Sequence, residues 1–454
     1  MGHETRNSPT YLDLDHNLNI ILSAMLRSLE YLAEIFKSTM RLSHPLLLAS
    51  CASAIQHRAL LKPADSCLWR PPPPRLACAI DEWGDNPSGA NTTTAFQKKA
   101  SGRSQQRTHE TLPPSKWEAT HHCAGPYCIF TNPGFAHGRG MVAITTSPTL
   151  PKLRAIEPSR PVPASYHLSL VPGKGLGMIA NQTLSRGAVV TTESPAVLIH
   201  RGFLETIPAA EQHPLLDQAI THLPPPLRAA FLAQMGHFGG HRVADILATN
   251  SFQMDLGGAD GHHYGNFPAV SRFNHDCRPN VAFRVAGGGL VHTTTVVRDV
   301  APGEELAISY LDSFESRERR RQRAKMAWGF ECACSQCSLG EEAVRRSDAR
   351  LEEIRRVEGV LGDFQSTGVD AALLRKLVKL YRDERLDAGV AGAYTLVALS
   401  YNMLGDARLA VKYAKLAREA VIIERGPEAG DAEAMRELAE APKEHFTWKA
   451  RVQR

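Results

Sequence analysis

The sequence predicts an α+β chain in which small β-sheets carry the functional site and helices close the molecule. Three observations predict it. From about residue 163 short β-type runs alternate with Gly-containing turns. After Gly340 the pattern turns helical to the end. Between these regions Cys332, Cys334 and Cys337 crowd into six residues. The 454 residues are 43% hydrophobic, enough to bury more than one core, and two or three domains are expected. The net charge of +5 comes from 52 basic and 47 acidic residues, without the clustered excess that marks nucleic-acid binding. No run of about 18 apolar residues occurs, so no membrane-spanning helix is expected.

Taken in order, residues 1–162 read as a low-complexity, largely disordered N-terminal region. "PPPP" at 71–74 and "GANTTTAFQKKASGRSQQRTH" at 89–109 are poor in large apolar residues. "MRLSHPLLLASCASA" at 40–54 has the shape of a secretory signal, although it begins at Met40. The other reading is a short helix continuing "LNIILSAMLRSLEYLAEIF". In "HHCAGPYCIF" at 121–130 the spacing fits no standard ligand set. A local disulfide between Cys123 and Cys128, or two ordinary thiols, is expected there.

"SYHLSLVPGKGLGMIANQTLSRGAVVTTESPAVLI" reads as a meander of short strands. Residues 204–249 read as helical, interrupted by "LPPPL" at 223–227. A second β-rich stretch, "VAFRVAGGGLVHTTTVVRDVAPGEELAISYL", turns at Pro302-Gly303. "RERRRQRAK" at 317–325 is read as an exposed helical face and not as a nucleic-acid motif. In the helical tail, "YTLVALSYNMLGDARLAVKYAKLAREAV" spaces its residues like one tetratricopeptide unit. One unit makes no array, so a small bundle packing on the preceding domain is expected.

Three thiolates as close as Cys332, Cys334 and Cys337 cannot pair off among themselves, so they call for a metal or an outside partner. Structural zinc takes four tetrahedral ligands, often all cysteine. Cys277 is the only other cysteine after Cys128, which makes it the natural fourth ligand. Such a site would clamp the tail onto the turn carrying Asn274 and His275.

"NHDCRPN", "GEELAISYLD" and "FECACSQC", in that order, resemble the second half of a SET domain with its zinc-binding post-SET tail. "GKGLGMIA" at 173–180 resembles the Gly-rich opening of that domain, and "TNSFQM" at 249–254 its asparagine-bearing segment. The layout is most similar to the SET-and-MYND group of protein methyltransferases and its fungal relatives, over roughly 163–340. The resemblance implies a SET domain at 163–312 with a helical insertion at about 204–249 and a knot-like crossing of two segments. A post-SET zinc segment at 313–340 and a helical, tetratricopeptide-like region at 341–454 complete the layout. It also implies methyl transfer from S-adenosylmethionine to a lysine of a protein substrate. Tyr310 takes the catalytic position. Lys174, Gly175, Leu176, Gly177, Asn250, Asn274, His275 and Phe330 take donor-binding positions, and Cys277, Cys332, Cys334 and Cys337 hold one structural zinc ion.

Two departures stand against the pattern. The MYND finger is missing, because no cysteine lies between Cys128 and Cys277. No tyrosine occurs in 236–250, where the group supplies an aromatic to the substrate channel, and Phe267 or Tyr264 is the expected substitute. These departures keep a second reading open: a catalytically idle SET-fold protein that binds chromatin or another protein partner through its helical region. A thiolate zinc site suits the nucleus or cytoplasm; the segment at 40–54, if it is the true start, suits secretion.

Overall fold

The computed structural model describes residues 116–452, apart from 159, 259–260 and 287. The signal-like segment at 40–54 and the low-complexity stretches at 71–74 and 89–109 lie outside the described residues. The strands are β1 (Glu118–Ala124), β2 (Tyr127–Asn132), β3 (Met141–Thr146), β4 (Tyr166–Val171), β5 (Gly175–Ala180), β6 (Val189–Glu193) and β7 (Val197–His200). After the helical insertion come β8 (Ser251–Asp255), β9 (His262–Asn266), β10 (Asn274–His275), β11 (Val281–Ala286), β12 (Val291–Val296) and β13 (Glu305–Ile308). They form three sheets, with orders β1-β2-β3-β7-β9-β8, β10-β13-β5-β4 and β11-β12-β6.

The first three strands fall inside the segment expected to be low-complexity. "YCIFTN" and "MVAITT" bury Ile129, Phe130 and the run from Met141 to Ile144 almost completely, a core that overrides the polar composition upstream. β3 then pairs in parallel with β7, Val142 to Ile144 against Val197 to Ile199. Ordered structure therefore starts well before residue 163 and is continuous with the sheet that follows. The turn between β1 and β2 is closed by a Cys123–Cys128 disulfide, the first of the two expected states.

The insertion comprises α2 (Arg201–Thr206), α3 (Ala209–Thr221), α4 (Pro225–Leu232) and α5 (Arg242–Asn250), following a short α1 (Leu150–Ala155). Phe203, Leu216, Phe231 and Ile246 pack with Ile129, Ile144, Val197 and Ile199 of the six-stranded sheet. The prolines of "LPPPL" start α4 instead of merely breaking a helix, since the first helical turn has no use for their missing N–H groups.

In the four-stranded sheet, β10 lies parallel to β13, with Asn274 opposite Ala307 and His275 opposite Ile308. The Asn-His loop and the segment leading to Tyr310 are thus side by side. Beyond it run α6 (Arg317–Trp328), α7 (Glu341–Gly362), α8 (Ala371–Asp383), α9 (Val390–Met403), α10 (Ala407–Arg425) and α11 (Gly430–Glu440). Phe314 inserts among Leu351, Leu377 and Tyr381, so the bundle packs on the preceding domain as expected. Among the described residues no helix is long and apolar enough to cross a membrane.

Candidate functional site

The site is built around sulfur. The Sγ atoms of Cys277, Cys332, Cys334 and Cys337 lie within 4.8 Å of one another, and all four residues are buried. Cys277 Sγ stands 3.9 Å from Cys332 Sγ and 3.5 Å from Cys337 Sγ. A tetrahedral zinc ion bonded to four thiolates at ~2.3 Å holds them ~3.8 Å apart, so these four fit that ion. α6 supplies one further neighbour. Arg320, expected on an exposed helical face, is only 1% exposed. Burial opposes its charge, but the sulfurs of Cys277 and Cys337 outweigh burial and raise its pKa. Arg319, Arg321, Arg323 and Lys325 are exposed as expected, whereas Arg317 is half-buried and Ala324 is buried.

His275 joins the sulfur cluster to the tyrosine. Its Nδ1 accepts the backbone N–H of Tyr310 at 3.1 Å, which leaves Nε2 to donate toward Cys277 Sγ at 3.3 Å. Burial lowers the imidazole pKa to about 4, so the ring is neutral at physiological pH and holds that tautomer. The Tyr310 hydroxyl donates to the carbonyl of Phe273 at 2.5 Å. Burial, with a smaller contribution from the Glu305 charge, pushes its pKa well up. The group is therefore an O–H at neutral pH and not a phenolate base.

The Gly-rich opening sits across from this pair. Lys174 Nζ binds Glu305 Oε2 at 2.6 Å, and Asn274 Nδ2 donates to Glu305 Oε1 at 2.9 Å. One carboxylate of β13 thus fixes both the opening loop and the Asn-His loop. Gly175 has φ of +79° and open space where a Cβ would stand, so its backbone faces the cleft unshielded. Gly177 is packed: a Cβ there would lie 2.7 Å from Asn274 Nδ2 and from Val171 Cγ2. Asn250, at the end of α5, spends its amide on the carbonyls of Met235 and Ile246.

Lys174, Gly175, Leu176, Asn250, Asn274, His275, Tyr310 and Phe330 all line one cleft of about 1710 Å³. Gly177 lies just behind it, against Asn274. Phe330 stands 5.8 Å from the His275 ring and 6.2 Å, edge-on, from that of Tyr310. The aromatic beside Tyr310 that the sequence reading missed is Trp328, at 5.4 Å. Neither expected substitute lines the cleft: Phe267 is buried against Phe252 and His292, and Tyr264 lies on β9 away from it. Trp328 stands two residues before Phe330 in the sequence, well outside 236–250. Glu305, within "GEELAISYLD", is the other functional residue that the sequence pattern alone does not mark.

Residues 175–311 match the protein family described as the SET domain. The chain carries a SET domain. Histone-lysine N-methyltransferase set5 of Schizosaccharomyces pombe is 27% identical over 288 residues, covering 62% of this chain and 85% of that relative. Histone-lysine N-methyltransferase SMYD3 of Homo sapiens is 40% identical over 78 residues, 17% of this chain and 18% of its own length. N-lysine methyltransferase SMYD2 of Homo sapiens is 33% identical over 97 residues, 21% of each chain. The chain thus spans about a fifth of the latter two relatives and most of the first. Around this SET domain, the N-terminal β1–β3 sheet extension and the C-terminal bundle lie outside the matched residues, yet the bundle supplies Glu358, Tyr381 and Glu424 to the same cleft.

Proposed function

We propose that the chain is a protein-lysine N-methyltransferase that uses S-adenosylmethionine and carries one structural zinc ion. A single observation carries this reading: Tyr310 and the Asn274-His275 pair of the SET domain line one cleft, which the four-cysteine cluster borders through Cys332 and Cys334. The donor would be held by Lys174, Gly175, Leu176, Gly177, Asn250, Asn274, His275 and Phe330, and when bound it supplies an electrophilic methyl group on a sulfonium. Open backbone at Gly175 and a cleft above the ~300–1,000 Å³ usual for one small ligand leave room for donor and acceptor together. Zinc would be held by Cys277, Cys332, Cys334 and Cys337, pinning the tail that bears Trp328 and Phe330 over the cleft.

The chain's own task is to present a neutral amine. A free lysine has a pKa near ~10.4 and is protonated at neutral pH. Tyr310, Trp328 and Phe330 form an aromatic wall that disfavours the ammonium by desolvation. The Tyr310 hydroxyl, fixed by Phe273 and still protonated, orients the reacting groups without taking the proton itself. Alignment of this kind is worth up to ~7–11 kcal/mol. The idle-scaffold alternative gains nothing from the comparisons, since each relative above bears a methyltransferase name. Two of those names specify histones, which favours a nuclear or cytoplasmic substrate; the secreted alternative rests on residues outside the described ones. The test is incubation of the full purified chain with methyl-labelled donor and either core histones or a cytosolic protein mixture. Label appearing on lysine supports the reading. A chain that neither binds donor nor labels any protein overturns it.

A further inference from the structure

We propose that Glu384, at the end of α8 in the helical region, is a positioning residue for the donor-binding loop at 274–278, acting through Arg278. This rests on the reading of that loop given above and adds a regulator of its geometry from outside the SET domain. Arg278 directly follows the cluster residue Cys277. Its Nη1 donates to the carbonyl of Cys277 at 2.8 Å and to that of Ser313 at 3.0 Å. Its Nε donates to the Glu384 carbonyl at 2.5 Å, and its Nη2 to Glu384 Oε2 at 2.7 Å. One guanidinium therefore clamps the donor loop, the segment just past Tyr310 and a helix end.

The carboxylate is as heavily used. Glu384 Oε2 also accepts from Ser347 Oγ at 2.8 Å and from Gln336 Nε2 at 3.3 Å, and Oε1 accepts from Arg350 Nε at 2.6 Å. Gln336 lies between Cys334 and Cys337, so the same group braces the sulfur-bearing tail. The Arg278 and Glu384 side chains are 2% and 0% exposed. No solvent competes for the pair, and removing one charge strands the other. With Glu384 neutralised, Arg278 and Arg350 face each other's charge without a counterion. The backbone that shifts first is Cys277 C=O, and through Cys277 Sγ it carries His275, whose ring holds Tyr310. The neighbouring strand contact, Asp276 N–H to Ile308 C=O at 3.0 Å, transmits the same strain to β13.

The experiment uses the full zinc-loaded chain and compares wild type, Glu384→Gln, Arg350→Ala and Leu377→Ala. The last removes a fully buried side chain of α8 away from the network and controls for general loss of stability. Readouts are calorimetric titration with S-adenosylmethionine and the rate of zinc transfer to a chromophoric chelator. Glu384→Gln is expected to weaken donor binding at least five-fold, to speed zinc release, and to raise the donor KM more than it lowers kcat. Leu377→Ala, at a similar loss of melting temperature, is expected to leave donor affinity within two-fold. Equal donor affinity in Glu384→Gln and wild type, or the same shift in Leu377→Ala, overturns the proposal. If Glu384→Gln does not fold, Arg350→Ala decides: two- to three-fold weaker binding supports, unchanged binding overturns. A wild-type chain that binds no donor overturns this proposal and the methyltransferase reading together, whereas donor binding that is indifferent to Glu384 overturns this one alone.

Discussion

Tyr310 shows how far one side chain can be specified by its neighbours. Its backbone N–H is held by His275, its hydroxyl by the Phe273 carbonyl, and its ring by Trp328 and Phe330. Tyr310→Phe keeps the ring contacts and removes only the hydroxyl. Loss of one preorganised polar group beside the reacting atoms typically costs ~100–1,000-fold in turnover, so methyl transfer is expected to fall by about that much. Donor affinity measured by calorimetry should stay within two-fold; a variant that retains a tenth of wild-type turnover would remove Tyr310 from the catalytic position. Gly177 is specified just as tightly. The added methyl of Gly177→Ala would meet Asn274 Nδ2 and Val171 Cγ2 at 2.7 Å, and Asn274 would be pushed off Glu305. Overpacking of this kind costs ~1–3 kcal/mol. Thermal melts should show that loss together with weaker donor binding, while Gly175→Ala, where a Cβ meets open space, should show backbone strain alone.

The cysteine cluster joins two segments that are distant in the sequence. Cys277 belongs to the loop after β10, and the other three cysteines to the tail after α6. Ligands from two distant segments make metal binding part of the folding free energy. Metal analysis should give one zinc per chain, and Cys334→Ser should abolish it. Chelation should loosen the tail, so that zinc release and loss of donor binding share one midpoint; donor binding that survives complete zinc removal would break the link drawn through His275. This centre was legible in the sequence because C-x-C-x-x-C leaves thiolates no local alternative, and the strands around it because Gly-containing turns punctuate short β runs. β1–β3 were not, since the polar stretch before them masked three strands that join the rest of the sheet only through the pairing of β3 with β7. Arg278–Glu384 could not be read at all. An ion pair that closes across 106 residues of sequence leaves no local pattern, and Arg278 within "NHDCRPN" looks like any turn residue.

For the whole molecule, the cleft is a joint product of the SET domain and the bundle behind it. Glu358 on α7 and Tyr381 on α8 both line it, and the tyrosine hydroxyl donates to the carboxylate. Burial pushes the Glu358 carboxyl up from its ordinary 4.5 to about 7, and the hydrogen bond from Tyr381 offsets only part of that. Between these two values the folded chain holds a proton that the unfolded chain has released. Stability from this group therefore falls as pH rises through that window, and the full cost, about 3 kcal/mol, is reached above pH 7. Glu358→Gln still accepts from Tyr381 but cannot ionise. Its stability relative to wild type should rise from pH 5 to pH 8 by an amount approaching that cost, read from urea midpoints at the two pH values. Zinc loss at acid pH affects both proteins alike and cancels in the difference. A difference that stays flat would mean that Glu358 ionises at its ordinary value, and hence that water reaches it through the cleft. The bundle side of the cleft would then be open to solvent instead of dry.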